Sequence, residues 1–418
     1  MKHSGIEWIG EIPSDWEIKK LKYVTGLRNE IGRLYNDDIY LGLENIESST
    51  GKYIQTETEY DDGFYSIVKK GDVLFGKLRP YLEKVYMSDI DGFCSGEFVN
   101  FKEFNGEKRY LFYFLLSHGF IEIVNSSTYG AKMPRAEWEY IKNLNIPMPI
   151  LSEQRNIAAF LDTQCSKIDN VITELEQQIE ILKQYKTSLI TETVTKGLNK
   201  NVPLKNSGID WIGKIPAHWE VTKIKYSVSL IGSGTTPASD NNEYYNGEYN
   251  WIQSGDLYNV NEITMTEKKI SKLAIKTYQI LNYYSSDFIV LAMYGASVGN
   301  VAISKINAYS NQACCCIKPD KNTDLRFMYY YFVISKENLI EKAVGGGQPN
   351  ISQIVIKNEH FLKVPLSEQH TIVTFLDSKC KEITDIITEK QQSIDTMKAY
   401  KKSLIYEYVT GKKRVTKE

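Results

Sequence analysis

The chain has 418 residues, with 50 Lys and Arg against 52 Asp and Glu, 42% hydrophobic residues and a formal charge of −2. Ordinary globular proportions exclude wholesale disorder, and this length predicts two or more domains. A near-zero charge excludes a protein that holds polyphosphate by bulk electrostatics alone, and with no apolar run long enough for a membrane span or a leader core, a cytoplasmic protein without a membrane partner is expected.

Taken from the N-terminus, residues 1–150 are expected to form a first mixed domain. It opens on Ser4-Gly5-Ile6-Glu7-Trp8-Ile9-Gly10 and continues through Ile12-Pro13 to Trp16-Glu17. Strands are predicted at 72–75, 83–87 and 98–101, and one helix over 109–124. Residues 151–200 are expected to form a central long helix. Its apolar positions fall at Leu161, Cys165, Ile168, Ile172, Leu175, Ile179 and Leu182, alternating four and three apart, which is a heptad seam. Ser152 is the expected N-cap and Gly197 the expected stop.

A polar linker, 196–203, leads to a second mixed domain over 201–365. Strands are predicted at 287–292 and 300–303, and a helix over 325–344. Residues 366–418 are expected to form a distal long helix whose seam runs Leu376, Cys380, Ile383, Ile387, Lys390, Ile394 and Met397. Ser367 is its expected N-cap and Gly411 its stop. The seam position after Leu182 is Lys186 and the one after Met397 is Lys401; a polar residue there commonly fixes register and partner number.

These elements are two copies of one plan. Ser4 to Gly10 recurs at Ser207 to Gly213 (207 − 4 = 203), and Leu151-Ser152-Glu153-Gln154 recurs at Leu366-Ser367-Glu368-Gln369 (366 − 151 = 215). The offset grows between the two markers because the intervening segments diverge. Two constant segments therefore frame two variable ones. Regular heptads seek other heptads, so Leu161, Ile168, Ile172, Leu175, Ile179 and Leu182 are expected to pair with Leu376, Ile383, Ile387, Ile394 and Met397. The fold class expected is α+β: two mixed domains separated by two long antiparallel coiled-coil helices about a pseudo-two-fold axis. Two unrelated surface helices, each buried on its own domain, are the alternative.

Catalytic signatures are missing. There is no phosphate-binding GxxxxGK[ST] loop, no dinucleotide or methyl-donor glycine turn, no GxSxG elbow and no carboxylate pair at an acid–base spacing. Six cysteines and five histidines show no metal-ligand spacing, so no metal site is expected and buried thiols in a reducing compartment are. What remains is a set of polar loops rich in nucleic-acid-contacting residue types. Lys77, Arg79 and Tyr81 lie on one, and Lys132 and Arg135 on a second. Tyr294, Ser297 and Asn300 follow in the second domain, then Asn311 and Gln312, then Gln348, Asn350 and Ser352. Arginine suits guanine, and Asn or Gln suits adenine, through bidentate hydrogen bonds, while hydroxyls reach phosphates.

Across essentially its whole length the chain resembles the DNA-specificity subunits of type I restriction–modification systems. The resemblance rests on Trp8-Ile9-Gly10, on Gly71-Asp72-Val73-Leu74 with Leu78-Arg79-Pro80-Tyr81, and on Lys132-Met133-Pro134-Arg135. It rests equally on Ile146-Pro147, Ser152-Glu153-Gln154 and Phe160-Leu161-Asp162, and on Tyr294-Gly295-Ala296-Ser297-Val298-Gly299 with Asn311-Gln312-Ala313-Cys314. It implies that each variable domain is a target recognition domain reading one half of a split DNA sequence, with the helices setting the spacer. Two methyltransferase subunits would bring S-adenosylmethionine and methylate adenine N6. A motor–nuclease subunit would use ATP and magnesium for restriction, and this chain would hold no cofactor and no catalytic residue. A coiled-coil scaffold without DNA contact and a stand-alone DNA-modifying enzyme are the competing readings; sequence preference in the complex tests the first, and turnover by the isolated chain the second.

Overall fold

The computed structural model describes residues 1–35, 38–57, 60–130, 132–295, 297–345 and 349–415. The chain divides into two compact units: Met1–Gln177 with Lys390–Glu418, and Gln178–Glu389. Each unit thus contains one mixed domain, part of the central helix (Leu151–Lys196) and part of the distal helix (Leu366–Val409).

In the first unit the main sheet is antiparallel, in the order Thr25–Leu27, Phe98–Phe104, Val73–Gly76, Val85–Met87. A second four-stranded sheet runs Ile31–Leu34, Gly63–Val68, Gly92–Cys94, Tyr40–Leu41. The second unit repeats the scheme with variations. Its main sheet runs Val228–Gly232, Cys314–Pro319, Phe288–Ala292, Val301–Ser304, Glu262–Ile263, and its smaller sheet has three strands. The three consecutive cysteines are explained here. Side chains alternate along a strand, so Cys315 enters the core shared with the helix Leu325–Ile334, while Cys314 and Cys316 enter the core on the other face. All six cysteines are free and buried; burial pushes the Cys165 thiol up to about 11 and Cys94 to about 12.

Both predicted domain helices are broken. In place of one helix over 109–124 there are two, Lys108–Leu116 and His118–Ser126. In place of 325–344 there are Leu325–Ile334 and Lys336–Glu341. A fully buried serine stands at each break, with Ser117 Oγ donating to the Phe114 carbonyl at 2.6 Å and Ser335 Oγ to the Phe332 carbonyl at 3.3 Å. A hydroxyl that bonds a carbonyl three residues back competes with the helical ladder, a local effect that apolar periodicity does not register.

The long helices carry the expected seam. Leu161, Ile168, Ile172, Ile179, Leu376, Ile383 and Ile394 are buried, and Leu175, Leu182, Ile387 and Met397 half-buried, between exposed neighbours. The helices begin at Leu151 and Leu366, the first residues of the expected segments, so Ser152 and Ser367 lie inside the first turn and not at the N-cap. Docking falls to the next two residues. Glu153 accepts the indole N–H of Trp16 at 2.9 Å, and Glu368 that of Trp219 at 3.1 Å. Gln154 accepts the backbone N–H of Glu107 and donates to the Pro149 carbonyl; Gln369 does the same with Asp324 and Val364. The ends also meet these tryptophans. Gly197 and Gly411 follow the two helices at φ +71, and a Cβ on Gly411 would sit 3.0 Å from the Trp16 ring and 2.4 Å from Pro13, while one on Gly197 would sit 3.2 Å from Trp219. A left-handed turn this close to a ring admits glycine alone at low cost.

Candidate functional site

In each unit the central strand of the main sheet runs out into a three-segment knot that holds most of the polar-loop residues. In the first unit Val73–Gly76 continues to Lys77, whose N–H donates to the Glu97 carbonyl and whose carbonyl accepts from Ala136, both at 2.9 Å. Leu78 bridges Arg135, and Arg135 also pairs with Tyr129. In the second unit Phe288–Ala292 continues to Met293, whose N–H donates to Ala313 and whose carbonyl accepts from Ile351, both at 2.7 Å. Tyr294 bridges Asn350, and Asn350 also pairs with Val344. The two knots therefore match residue for residue: Lys77 with Met293, Leu78 with Tyr294, Glu97 with Ala313, Tyr129 with Val344, Arg135 with Asn350.

The first knot brings Lys77, Arg79, Lys132 and Arg135 together, with Tyr81 on the short turn Pro80–Leu82 that follows Arg79. Arg135 forms an ion pair with Glu97 at 2.5 Å, with side-chain exposures of 43% and 25%. Arg79 is left-handed at φ 51, its N–H donates to the Pro134 carbonyl at 2.7 Å, and its Nη2 reaches the Lys132 carbonyl at 3.4 Å. Tyr81 and Lys132 are exposed and Lys77 is half-buried. The Tyr129 hydroxyl donates to Glu137 at 2.6 Å, a bond that raises its pKa.

The second knot joins Tyr294 and Asn350, with Asn350 exposed. Gln312 lies beside it, accepting from Thr236 at 2.6 Å. Asn311 and Ser297 are buried; the Asn311 side chain accepts from the backbone N–H of Ala313. Asn300 accepts from Lys336 at 2.8 Å, and Ser352 caps the helix Gln353–Asn358 through the Val355 N–H, so these two are committed within the unit. Gln348 lies outside the described residues. Sequence reasoning missed Glu97, whose charge pairing depends on a loop arginine 38 residues away; it also used Glu153 and Gln154 as markers without seeing their bonds to Trp16 and Glu107.

The seam lysines occupy matching places in the two helices. Lys401 donates to Asp169 at 2.7 Å inside the first unit, and Lys186 to Thr384 Oγ1 at 2.9 Å inside the second. Phe160 packs on Tyr408 in the first unit, with ring centroids 4.5 Å apart; with the Asp169–Lys401 bond, this sets the helix segments there in antiparallel order.

A family model described as the type I restriction modification DNA specificity domain matches this chain twice, over residues 13–183 and 216–396. The chain is 27% identical over 437 residues to a putative type I restriction enzyme MjaX specificity subunit of Methanocaldococcus jannaschii, covering 97% of this chain and 96% of that protein. It is 23% identical over 392 residues to the type I restriction enzyme EcoBI specificity subunit of Escherichia coli, covering 82% and 80%. Among solved structures, one described as the basis of complex assembly and conformational transition of the type I R-M system has a TM-score of 0.76 at 18% identity, covering 96% and 98%. The HsdS subunit from Thermoanaerobacter tengcongensis has a TM-score of 0.56, also at 18% identity, covering 98% and 100%; at such identities these two speak for the fold. The doubled family match agrees with the doubled knot and the doubled helix docking, and the chain belongs to the DNA specificity subunits of type I restriction–modification systems.

Proposed function

We propose that this chain is the non-catalytic reader of a bipartite double-stranded DNA target, one half-site for each mixed domain, and that it directs partner subunits to methylate adenine N6 and to restrict unmodified DNA. The observation that carries this reading is the knot repeated in both units with one backbone pattern and different side chains. A scaffold without DNA contact has no use for two such divergent polar surfaces on a shared frame. Two methyltransferase subunits, which bring S-adenosylmethionine, and a motor–nuclease using ATP and magnesium complete the proposed cytoplasmic complex. The two long helices pair as an antiparallel coiled coil with pseudo-two-fold symmetry and set the spacer between half-sites. With a nearly neutral chain, the grip on DNA comes from local Lys and Arg clusters, so the isolated chain binds weakly and with strong salt sensitivity, and gains affinity on assembly.

The test is an exchange of residues 20–150 for the matching segment of another member of the family, followed by genome-wide mapping of methylated adenines. One half of the target changes and the other stays. A change in both halves, or in neither, overturns the modular reading.

A further inference from the structure

We infer that Glu97 is a positioning residue for base recognition: its carboxylate holds the Arg135 guanidinium in place to read a guanine in one half-site, whereas the matching place in the second unit reads adenine through Asn350. This inference rests on the proposed reading of DNA by the knots and goes further in naming the base and the residue that presents the reader.

Three observations carry it. First, backbone bonding superimposes Glu97 on Ala313 and Arg135 on Asn350, so the two knots differ at this point by the loss of a whole charge pair on an unchanged frame. Second, the ion pair is one-armed: Arg135 Nη2 meets Glu97 Oε1, and Nη1 has no hydrogen-bond partner among the described residues. Third, charged groups at this knot are incompletely satisfied. Of the eight buried side-chain polar atoms without a partner among the described residues, three are here: Arg79 Nε, Arg135 Nε and Glu97 Oε2. Buried unsatisfied groups are few in native proteins, so three of them at one knot mark it as a place whose own residues leave the charged pair incompletely bonded.

The chemistry selects a base over a phosphate. An arginine already neutralised by a carboxylate adds little to counterion release, so a phosphate gains little from it. The Nη1 end of the fork keeps its fixed donor geometry whatever Nη2 bonds. Guanine presents O6 and N7 as adjacent acceptors in the major groove, matching two guanidinium N–H groups. Holding a long side chain in one rotamer beforehand removes part of the ordering cost of binding. In the second knot Ala313 offers no charge to hold a guanidinium, and the exposed Asn350 matches the N6 and N7 edge of adenine.

The test uses the full chain assembled with the methyltransferase subunits of its own system and reads the relative methylation of DNA targets carrying each base at each half-site position. Arg135→Ala and Glu97→Ala are expected to relax selection at the same G·C position of one half-site by about 10- to 100-fold. Combining them adds little to Arg135→Ala alone, because they act as one unit. Arg135→Lys does not restore selection, since a lysine lacks the planar fork. Asn350→Ala relaxes an A·T position in the other half-site. Uniform slowing without a change of base preference, or relaxation by Glu97→Ala and Arg135→Ala at different positions, overturns the inference. If Glu97→Ala does not assemble, Glu97→Gln carries the test: it keeps the shape, loses the charge, and relaxes the same position several-fold, and unchanged preference in it is equally fatal. A wild-type complex that methylates without any bipartite preference sinks the broader reading instead, a result distinct from all of these.

Discussion

The two units share their joinery and differ in what they present. Arg109 and Tyr113 both bond Asp162 in the first, at 2.6 and 2.7 Å, and Arg326 and Tyr330 both bond Asp377 in the second, at 3.0 and 2.7 Å. Trp16 and Trp219 are fully buried against matching glutamates, and Gln154 and Gln369 satisfy matching helix N-termini. The knots keep one hydrogen-bond frame yet exchange Glu97 and Arg135 for Ala313 and Asn350. Backbone bonds and buried latches therefore hold a domain to its helices without reference to the exposed side chains. That separation lets a surface vary while the fold stays.

The largest expected effect tests the division of labour itself. Removing one heptad in register from each long helix shortens it by about 10 Å, which on the proposed reading is about three base pairs of B-DNA. Mapped targets are expected to change in spacer and keep both half-sites; altered half-site bases would break the distinction between joinery and readout. Next comes the seam lysine. Asp169→Ala strands the buried Lys401 ammonium and is expected to cost about 3 kcal/mol in denaturant unfolding. The matching Thr384→Ala removes a neutral acceptor from the less buried Lys186 and costs about 1 kcal/mol. Equal losses would show that the two seams are energetically alike despite their different partners.

Smaller effects are expected at the tryptophan latches. Glu153→Ala and Glu368→Ala each leave a mostly buried indole N–H without its acceptor, for about 1–2 kcal/mol apiece. Similar values, with a matching shift in tryptophan emission, support equivalent latches, whereas a loss at only one site separates the units at the level of joinery. Last, the six buried cysteines are expected to resist a thiol reagent at pH 8 in the folded chain and to react on unfolding. Burial raises the pKa of each, so thiolate is scarce at that pH in both units. Rapid labelling of one cysteine would locate a looser unit.

Much of the fold was legible in the sequence because periodicity is local. A seam such as Leu161, Ile168, Ile172, Ile179 declares a helix and its buried face within a few turns, and repeated motifs declare two copies of one plan. The helix breaks at Ser117 and Ser335 were not legible, since nothing in hydrophobic spacing distinguishes a buried hydroxyl that bonds the preceding turn from one that faces water. The caps were not legible either: serine is a common cap, but each helix begins two residues before a Ser152 or Ser367 cap would start it, and Glu153 and Gln154 take the docking in the first.

The candidate site was only partly legible. Its loops stood out by composition, and Arg79 and Arg135 were singled out, but Glu97 looks like any strand-end carboxylate until Lys77 and Ala136 are bonded around it. The duplication, the two long amphipathic helices, the variable segments and the family can all be read from residue order and spacing along the chain. Which polar loops share a knot, that Glu97 meets Arg135, and that Lys401 finds Asp169 while Lys186 finds Thr384 emerge on folding alone. Those outcomes depend on groups distant in sequence meeting at hydrogen-bond range, and chain order alone does not encode such distances.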